Sequence, residues 1–134
     1  MNKPETVAVL GASPNPERYS HQAVQMLAEH GHRVIPIHPV AAEIAGIETV
    51  HSLQDIAGEV DTLTLYVNPE RSAAMAEELL GIAPRRIIFN PGTENPDLAD
   101  RCREQGIAVT EACTLVLLRT GQFGQDAQDR SSTI

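Results

Sequence analysis

Gly11, Ser13, Arg18 and Ser20 follow directly on the apolar run Thr6-Val-Ala-Val-Leu10. Together they hold the parts of an anion cradle. A glycine allows a tight turn and close approach of the backbone to a ligand. Ser13 brings a hydroxyl. Arg18 brings a fixed positive charge whose fork matches two phosphate oxygens. Ser20 reads as the N-cap of a helix whose first N–H groups point at the same place. The competing reading is a plain strand-to-helix connection with Arg18 in solvent.

The same loop argues against an ordinary dinucleotide site. The pattern G-x-G-x-x-G needs three glycines, and here the second and third places hold Ser13 and Pro16. A nicotinamide dinucleotide also calls for an acidic residue at the end of the second strand, to bond the ribose. That strand ends Ile37-His38-Pro39. His38 either stays neutral or pairs with a phosphate when protonated. Pro39 offers an apolar flank to a flat ring.

The elements that must position these residues alternate strand and helix. Residues 6–10, 33–37, 61–67, 86–89 and 107–110 read as buried strands, and 46–50 as a short edge strand. A first helix is expected from Ser20 to about His30, with Val24, Leu27 and Ala28 as its apolar stripe. Ser52-Leu-Gln-Asp55 has the form of a capping box. Asn68-Pro69-Glu70 opens a helix reaching about Leu80 and stopping at Gly81. Another helix follows Asn95-Pro96 and ends near Gly106, and a last one covers Cys113 to Arg119. Pro36 belongs near the end of its strand. This pattern predicts an α/β fold: a single, doubly wound, mostly parallel sheet with helices on both faces. In such sheets ligands bind at the carboxyl ends of the strands. Those ends carry Gly11-Ala12-Ser13, His38-Pro39, Asn68-Pro69, Asn90-Pro91-Gly92 and Glu111-Ala-Cys113.

Bulk properties narrow the classes further. The 134 residues fit one domain with a real core. No apolar run approaches a membrane span, and Met1 to Thr6 lead straight into an expected strand, so no signal peptide is expected. Cys102 and Cys113 form no CxxC pair and read as reduced thiols of a cytoplasmic protein. The net charge of −8 argues against nucleic acid as a partner. The five histidines show no metal-ligand spacing, so no metal is expected. Cys113 reads either as a reactive thiol or as small core packing, and Glu111 either faces the site or caps local N–H groups. Leu115 to Leu118 form either a buried closing helix or an oligomer interface. Residues 1–123 are expected to form the domain, and the polar segment 124–134 a disordered tail.

Six stretches taken in order, LGASPNPERYS, VIPIHP, GIETVHSLQDI, VDTLTLYVNPE, IIFNPGTEN and GIAVTEACTLVLL, resemble the small stand-alone CoA-binding proteins. These have the Rossmann-like fold of the N-terminal domain of the succinyl-CoA synthetase α-subunit. The similarity runs over about residues 5–123. It implies coenzyme A or an acyl-CoA as ligand. Gly11, Ala12, Ser13, Arg18, Tyr19 and Ser20 would then hold phosphates. His38 and Pro39 would lie by the adenosine, Val67, Asn68 and Pro69 along the adenine or pantetheine path, and Pro91 and Gly92 further on. The synthetases carry their phosphorylated histidine on a second domain with no counterpart in this sequence. The resemblance therefore implies binding, as a carrier, sensor or partner module, rather than ligase chemistry. The rival readings are an NAD(P)-binding protein or oxidoreductase fragment, an acyl-CoA-processing enzyme using Cys113 or Glu111, and an oligomeric scaffold whose site is vestigial.

Overall fold

A computed structural model describes residues 3–124. The chain runs β1 (Thr6–Leu10), α1 (Tyr19–Glu29) and β2 (Arg33–Ile37). A small antiparallel hairpin follows, β3 (Glu43–Ile44) with β4 (Ile47–Glu48), and then a 3₁₀ turn at Leu53–Asp55. β5 (Thr62–Leu65), α2 (Pro69–Ala74), α3 (Ala76–Ile82), β6 (Arg86–Phe89), α4 (Pro96–Glu104), β7 (Ala108–Glu111) and α5 (Thr114–Arg119) complete it. The main sheet has five parallel strands in the order β2-β1-β5-β6-β7. It is the doubly wound α/β architecture that the sequence predicts.

Both faces of the sheet are covered, which is why the three central strands are buried along nearly their whole length. On β1, Ala8 and Leu10 join the core beneath α3 and α4, with Leu79, Leu98 and Cys102. Val7 and Val9 point the other way, to Val24 and Leu27 of α1 and Leu117 and Leu118 of α5. From β1 the chain winds outward to β2; from β5 it winds the opposite way to β7. The switch point therefore falls between β1 and β5, and ligand chemistry belongs at their carboxyl ends.

Several local expectations are corrected. Ser20 is not the N-cap of α1: Arg18 holds that position, without a side-chain cap, and Ser20 is buried inside the first turn. Ala28 is exposed, and Ala23 takes its place in the buried stripe beside Val24 and Leu27. The helix expected to stop at Gly81 is broken at Met75 and runs on to Ile82, where Ala83 at φ +51° closes it. Ser52 makes no capping bond to the backbone; its hydroxyl donates to Asp55 Oδ2 at 3.1 Å. The expected edge strand at 46–50 splits, with Ile47–Glu48 in the hairpin and Val50 alone bridging β2.

That bridge explains Pro36. Val50 N donates to Pro36 O at 3.0 Å, so Pro36 turns its carbonyl and its missing N–H outward, and no bond to β1 is lost. On α5, Leu115, Leu117 and Leu118 are buried within the chain, while Val116 faces outward at 48% exposure. The tail expected to be disordered lies, apart from Gly124, outside the described residues. Among the described residues no helix is long and apolar enough to cross a membrane.

Polar groups hold the two ends of the sheet. At the amino end Arg86 is buried and donates to both carboxylate oxygens of Glu5, at 2.9 and 3.1 Å. Thr62 joins the same carboxylate at 2.6 Å. The Phe123 ring covers the guanidinium at 5.2 Å and packs on the His32 ring at 5.0 Å. His32 Nδ1 accepts the Glu5 N–H at 3.0 Å. At the carboxyl end buried Asn90 donates to Thr64 Oγ1 at 2.7 Å and to Leu65 O at 2.8 Å, and accepts from Thr114 N at 2.8 Å. Thr64 and Thr114 share a further bond of 2.8 Å. One amide thus ties β5, β6 and α5 together beneath the ligand end.

Two predictions follow from these ends. Asn90→Ala leaves buried backbone groups without partners and should cost about 2–4 kcal/mol of stability in chemical denaturation. Asn90→Asp should do no better, because a carboxylate cannot donate to Leu65 O; full stability in either variant would refute the role of the network. Burial, foremost, holds the His32 imidazole below its ordinary value, outweighing the pull of Glu5. The folded state therefore resists the proton that the unfolded chain accepts, and stability should fall as pH drops below about 6.5. His32→Asn keeps an acceptor for Glu5 N–H without the titration. Its melting temperature should fall less than the wild type's between neutral pH and pH 5, and an equal fall would assign the effect elsewhere.

Candidate functional site

The site is built around one close approach. Gly11 leaves β1 at φ +87°, a conformation that disfavours any side chain. A Cβ there would lie 3.0 Å from the carbonyl carbon and oxygen of Tyr66 and from Val67 Cγ1. Tyr66 N donates to Leu10 O at 2.9 Å, which presses the ends of β1 and β5 together. The loop that leaves this point divides the carboxyl end of the sheet into two cavities of about 440 Å³ each, with Gly11 and Ser13 lining both.

The first cavity lies over the ends of β1 and β2. Leu10, Ile37, Leu53, Val67 and Met75 give it apolar walls, and His38, Pro39 and His51 stand at its side. Hydrogen bonds fix both rings. His38 Nδ1 accepts from Val40 N at 3.1 Å and Ala41 N at 2.8 Å, so its hydrogen sits on Nε2. His51 donates from Nδ1 to His38 O at 3.1 Å, which leaves its Nε2 as an acceptor. The cavity thus offers one ring donor and one ring acceptor among apolar walls. Arg71 and Glu78, reaching over from α2 and α3, supply its charges.

The second cavity is polar. Glu17, Arg18, Tyr19, Ser20 and Tyr66 line it with Gly11 and Ser13. The loop is braced from within: Asn15 N donates to Ser13 Oγ at 3.1 Å, and Glu17 N to Asn15 Oδ1 at 3.0 Å. His21, buried on α1, donates from Nδ1 to Ser13 O at 2.9 Å. Ser13 Oγ thus spends a lone pair on the loop and keeps its hydrogen for a ligand. The first bond inside α1 runs from Gln22 N to Arg18 O, so the N–H groups of Tyr19, Ser20 and His21 precede it and can receive an anion. Tyr19 is 70% exposed at the rim. Tyr66 forms the floor. Burial pushes its phenol well above the ordinary range, and its hydroxyl lies against the Thr64–Thr114 pair without a hydrogen bond.

Of the residues singled out in the sequence, Gly11, Ala12, Ser13, His38, Pro39 and Val67 meet in the first cavity. Gly11, Ser13, Arg18, Tyr19 and Ser20 meet in the second. The remaining four line neither. Asn68 caps α2 by accepting Arg71 N at 2.8 Å, and Pro69 is the first residue of that helix. Pro91 and Gly92 form an exposed turn in which Gly92 N donates to Glu94 Oε1 at 2.9 Å. Glu111 is exposed at the end of β7 and Cys113 is half-buried before α5; neither belongs to the two cavities. Among the described residues no group of His, Cys, Asp or Glu is placed to hold a metal.

The first cavity also contains His51, Ser52, Leu53, Arg71, Met75 and Glu78, which strand-end reasoning overlooks. Arg71, Met75 and Glu78 are spaced by four and three residues, the one-face signature of a helical stretch. His51 to Leu53 come from the return crossover between β2 and β5, whose packing no local pattern announces.

Comparison with known proteins gives the family and the fold. Residues 5–119 match the model of the CoA binding domain family. An uncharacterised protein of known crystal structure superposes with a TM-score of 0.85 at 39% identity, over 91% of this chain and 100% of that one. The uncharacterised protein YneT of Bacillus subtilis is 28% identical over 109 residues, 81% of each chain. The α-subunit of the ADP-forming acetate–CoA ligase II of Pyrococcus furiosus is 33% identical over 69 residues, which cover 51% of this chain and 15% of the ligase subunit. With the family model spanning nearly all of its described residues, the chain belongs to the CoA binding domain family.

Proposed function

We propose that the protein binds coenzyme A or an acyl-CoA across the carboxyl ends of β1, β2 and β5, without catalysing a reaction on it, as a carrier, sensor or partner module. The observation that carries this reading is the pair of cavities sharing Gly11 and Ser13, one polar and one apolar. A CoA molecule has the same division, with a pyrophosphate beside a flat adenosine. Arg18, the Ser13 hydroxyl and the open N–H groups of α1 suit the pyrophosphate. The apolar walls beside His38 and Pro39 suit the adenine. The pantetheine arm then leaves past Asn68 and Pro69 toward Pro91 and Gly92.

The competing dinucleotide reading is poorly supported by the same site. β2 ends at Ile37 and hands over to His38, whose Nδ1 is already bound to the backbone. The carboxylate of the first cavity is Glu78, which comes from α3 rather than from the strand end where a ribose reader stands. A processing enzyme built on Cys113 or Glu111 is disfavoured because neither residue lines either cavity.

A thermal-shift panel with CoA, acetyl-CoA, NAD, NADP and ATP tests the proposal. A ligand at 100 times its dissociation constant stabilises by about 2.7 kcal/mol. The expected result is a shift with the CoA species and none with NAD or NADP; a shift with NAD alone would overturn the assignment. Arg18→Ala should weaken CoA binding by about 1.5–3 kcal/mol in isothermal titration. Unchanged affinity would remove Arg18 from the phosphate site.

A further inference from the structure

We infer that Arg71 reads the 3′-phosphate of the adenosine, and that this contact makes the site select CoA over its 3′-dephospho form and over nucleotides with only a 5′-phosphate chain. The inference rests on the CoA reading above and adds the group that sets its specificity.

Positive charge is scarce near the first cavity. From Val34 to Glu70 the sequence contains neither Lys nor Arg, so the whole loop after β2 and the crossover to β5 bring none. The cavity's single guanidinium is that of Arg71, on the second residue after Pro69 in α2. Four other arginines are paired off, Arg85 with Asp61, Arg86 with Glu5, Arg101 with Glu77 and Arg103 with Asp100, and Arg33 and Arg119 line neither cavity. Arg71 belongs to no ion pair or side-chain hydrogen bond among the described residues, and its fork is exposed. Its backbone, in contrast, is fixed, because Asn68 Oδ1 accepts its N–H at 2.8 Å.

Placement gives this free charge a meaning. Arg18 serves the second cavity and Arg71 the first, with Gly11 and Ser13 between them. A ligand with one phosphate cluster needs one of these arginines. CoA has two anionic groups, the pyrophosphate and a monoester on the ribose, and the ribose joins the adenine to the pyrophosphate. With the adenine in the first cavity and the pyrophosphate in the second, the ribose monoester falls on the first-cavity side. It carries between one and two charges at neutral pH, and a guanidinium matches its oxygens two at a time. Glu78 lines the same cavity but also the groove beyond it with Gln54, Gly81 and Ile82. Among the described residues no ion pair joins it to Arg71.

Isothermal titration of the full chain with CoA and with 3′-dephospho-CoA tests this. The wild type should prefer CoA by about 10- to 100-fold, the range of a charge-assisted contact. Arg71→Gln should bind both ligands equally, at the wild type's affinity for the dephospho form. Arg71→Lys should keep part of the preference. Arg18→Ala should weaken both ligands by the same factor. Equal wild-type affinity for the two ligands overturns the role of Arg71 and leaves the CoA reading standing. So does an Arg71→Gln variant that keeps the preference or loses both ligands equally. Failure of the wild type to bind either ligand overturns the CoA reading and this inference with it.

Discussion

The contact on which the rest of the site depends is the approach of Gly11 to the Tyr66 carbonyl. Two parallel strands, β1 and β5, end side by side there and send their chains to opposite faces of the sheet. For the loop after β1 to leave at that point, its first residue must take φ +87° with backbone 3.0 Å from where a Cβ would stand. Only glycine does so without displacing β5. The consequence is geometric. Because the loop is pinned against β5, it becomes a wall rather than a lid, and the carboxyl end of the sheet is divided into two compartments of different polarity. The bracing by His21, Ser13 and Asn15 then holds the wall upright without using the hydrogens and N–H groups that face the ligand side.

The two ends of the sheet solve the problem of buried polarity differently. At the amino end an ion pair is taken out of water, with Arg86 and Glu5 at 4% and 10% side-chain exposure. Such a pair is tolerated because its remaining groups are also met, by Thr62, by the Phe123 ring and by the backbone–His32 bond. Among the described residues no carboxylate, lysine or arginine is buried at the carboxyl end. A neutral amide, Asn90, does the joining. A fixed charge beneath the cavities would act on any bound anion, and a carboxylate there would repel it. The neutral network leaves the field at the ligand end to the groups that line the cavities, Arg71 with Glu78 in the first and Arg18 with Glu17 in the second.

Much of this was legible from residue order. Gly11 after a closed apolar run, His38-Pro39 after the second, and the absence of an acidic strand end each have a local physical cause and each stands in the structure as read. Local patterns misled where packing competes with them. Ser20 is a good capping residue, yet the cap falls two residues earlier, at Arg18, and Ser20 is buried in the first turn. Gly81 looks like a helix stop, but the chain continues to Ala83, which takes the left-handed conformation itself. The largest gap was in the site. His51, Leu53 and Arg71 reach the first cavity from a crossover and from a helix that follows another strand. Their convergence is a property of the sheet order, and a reading that looks only at the residues after each strand cannot find it.

The charge balance determines what kind of recognition such a site can perform. The chain carries a net charge of −8, so no general positive field draws anions toward it. At physiological ionic strength charges are screened over about 8 Å, which makes the outer carboxylates weak opponents and weak helpers alike. For the proposed ligand, selection would then come from groups within bonding distance of its phosphates. The loop after β1 supplies directional donors at one compartment, and a single unpaired guanidinium stands at the other. Two short-range contacts on opposite sides of one glycine test the spacing between anionic groups as well as their presence. On the proposed reading, such a site would discriminate by the shape of the ligand's charge, the property that separates CoA from adenine nucleotides sharing its base.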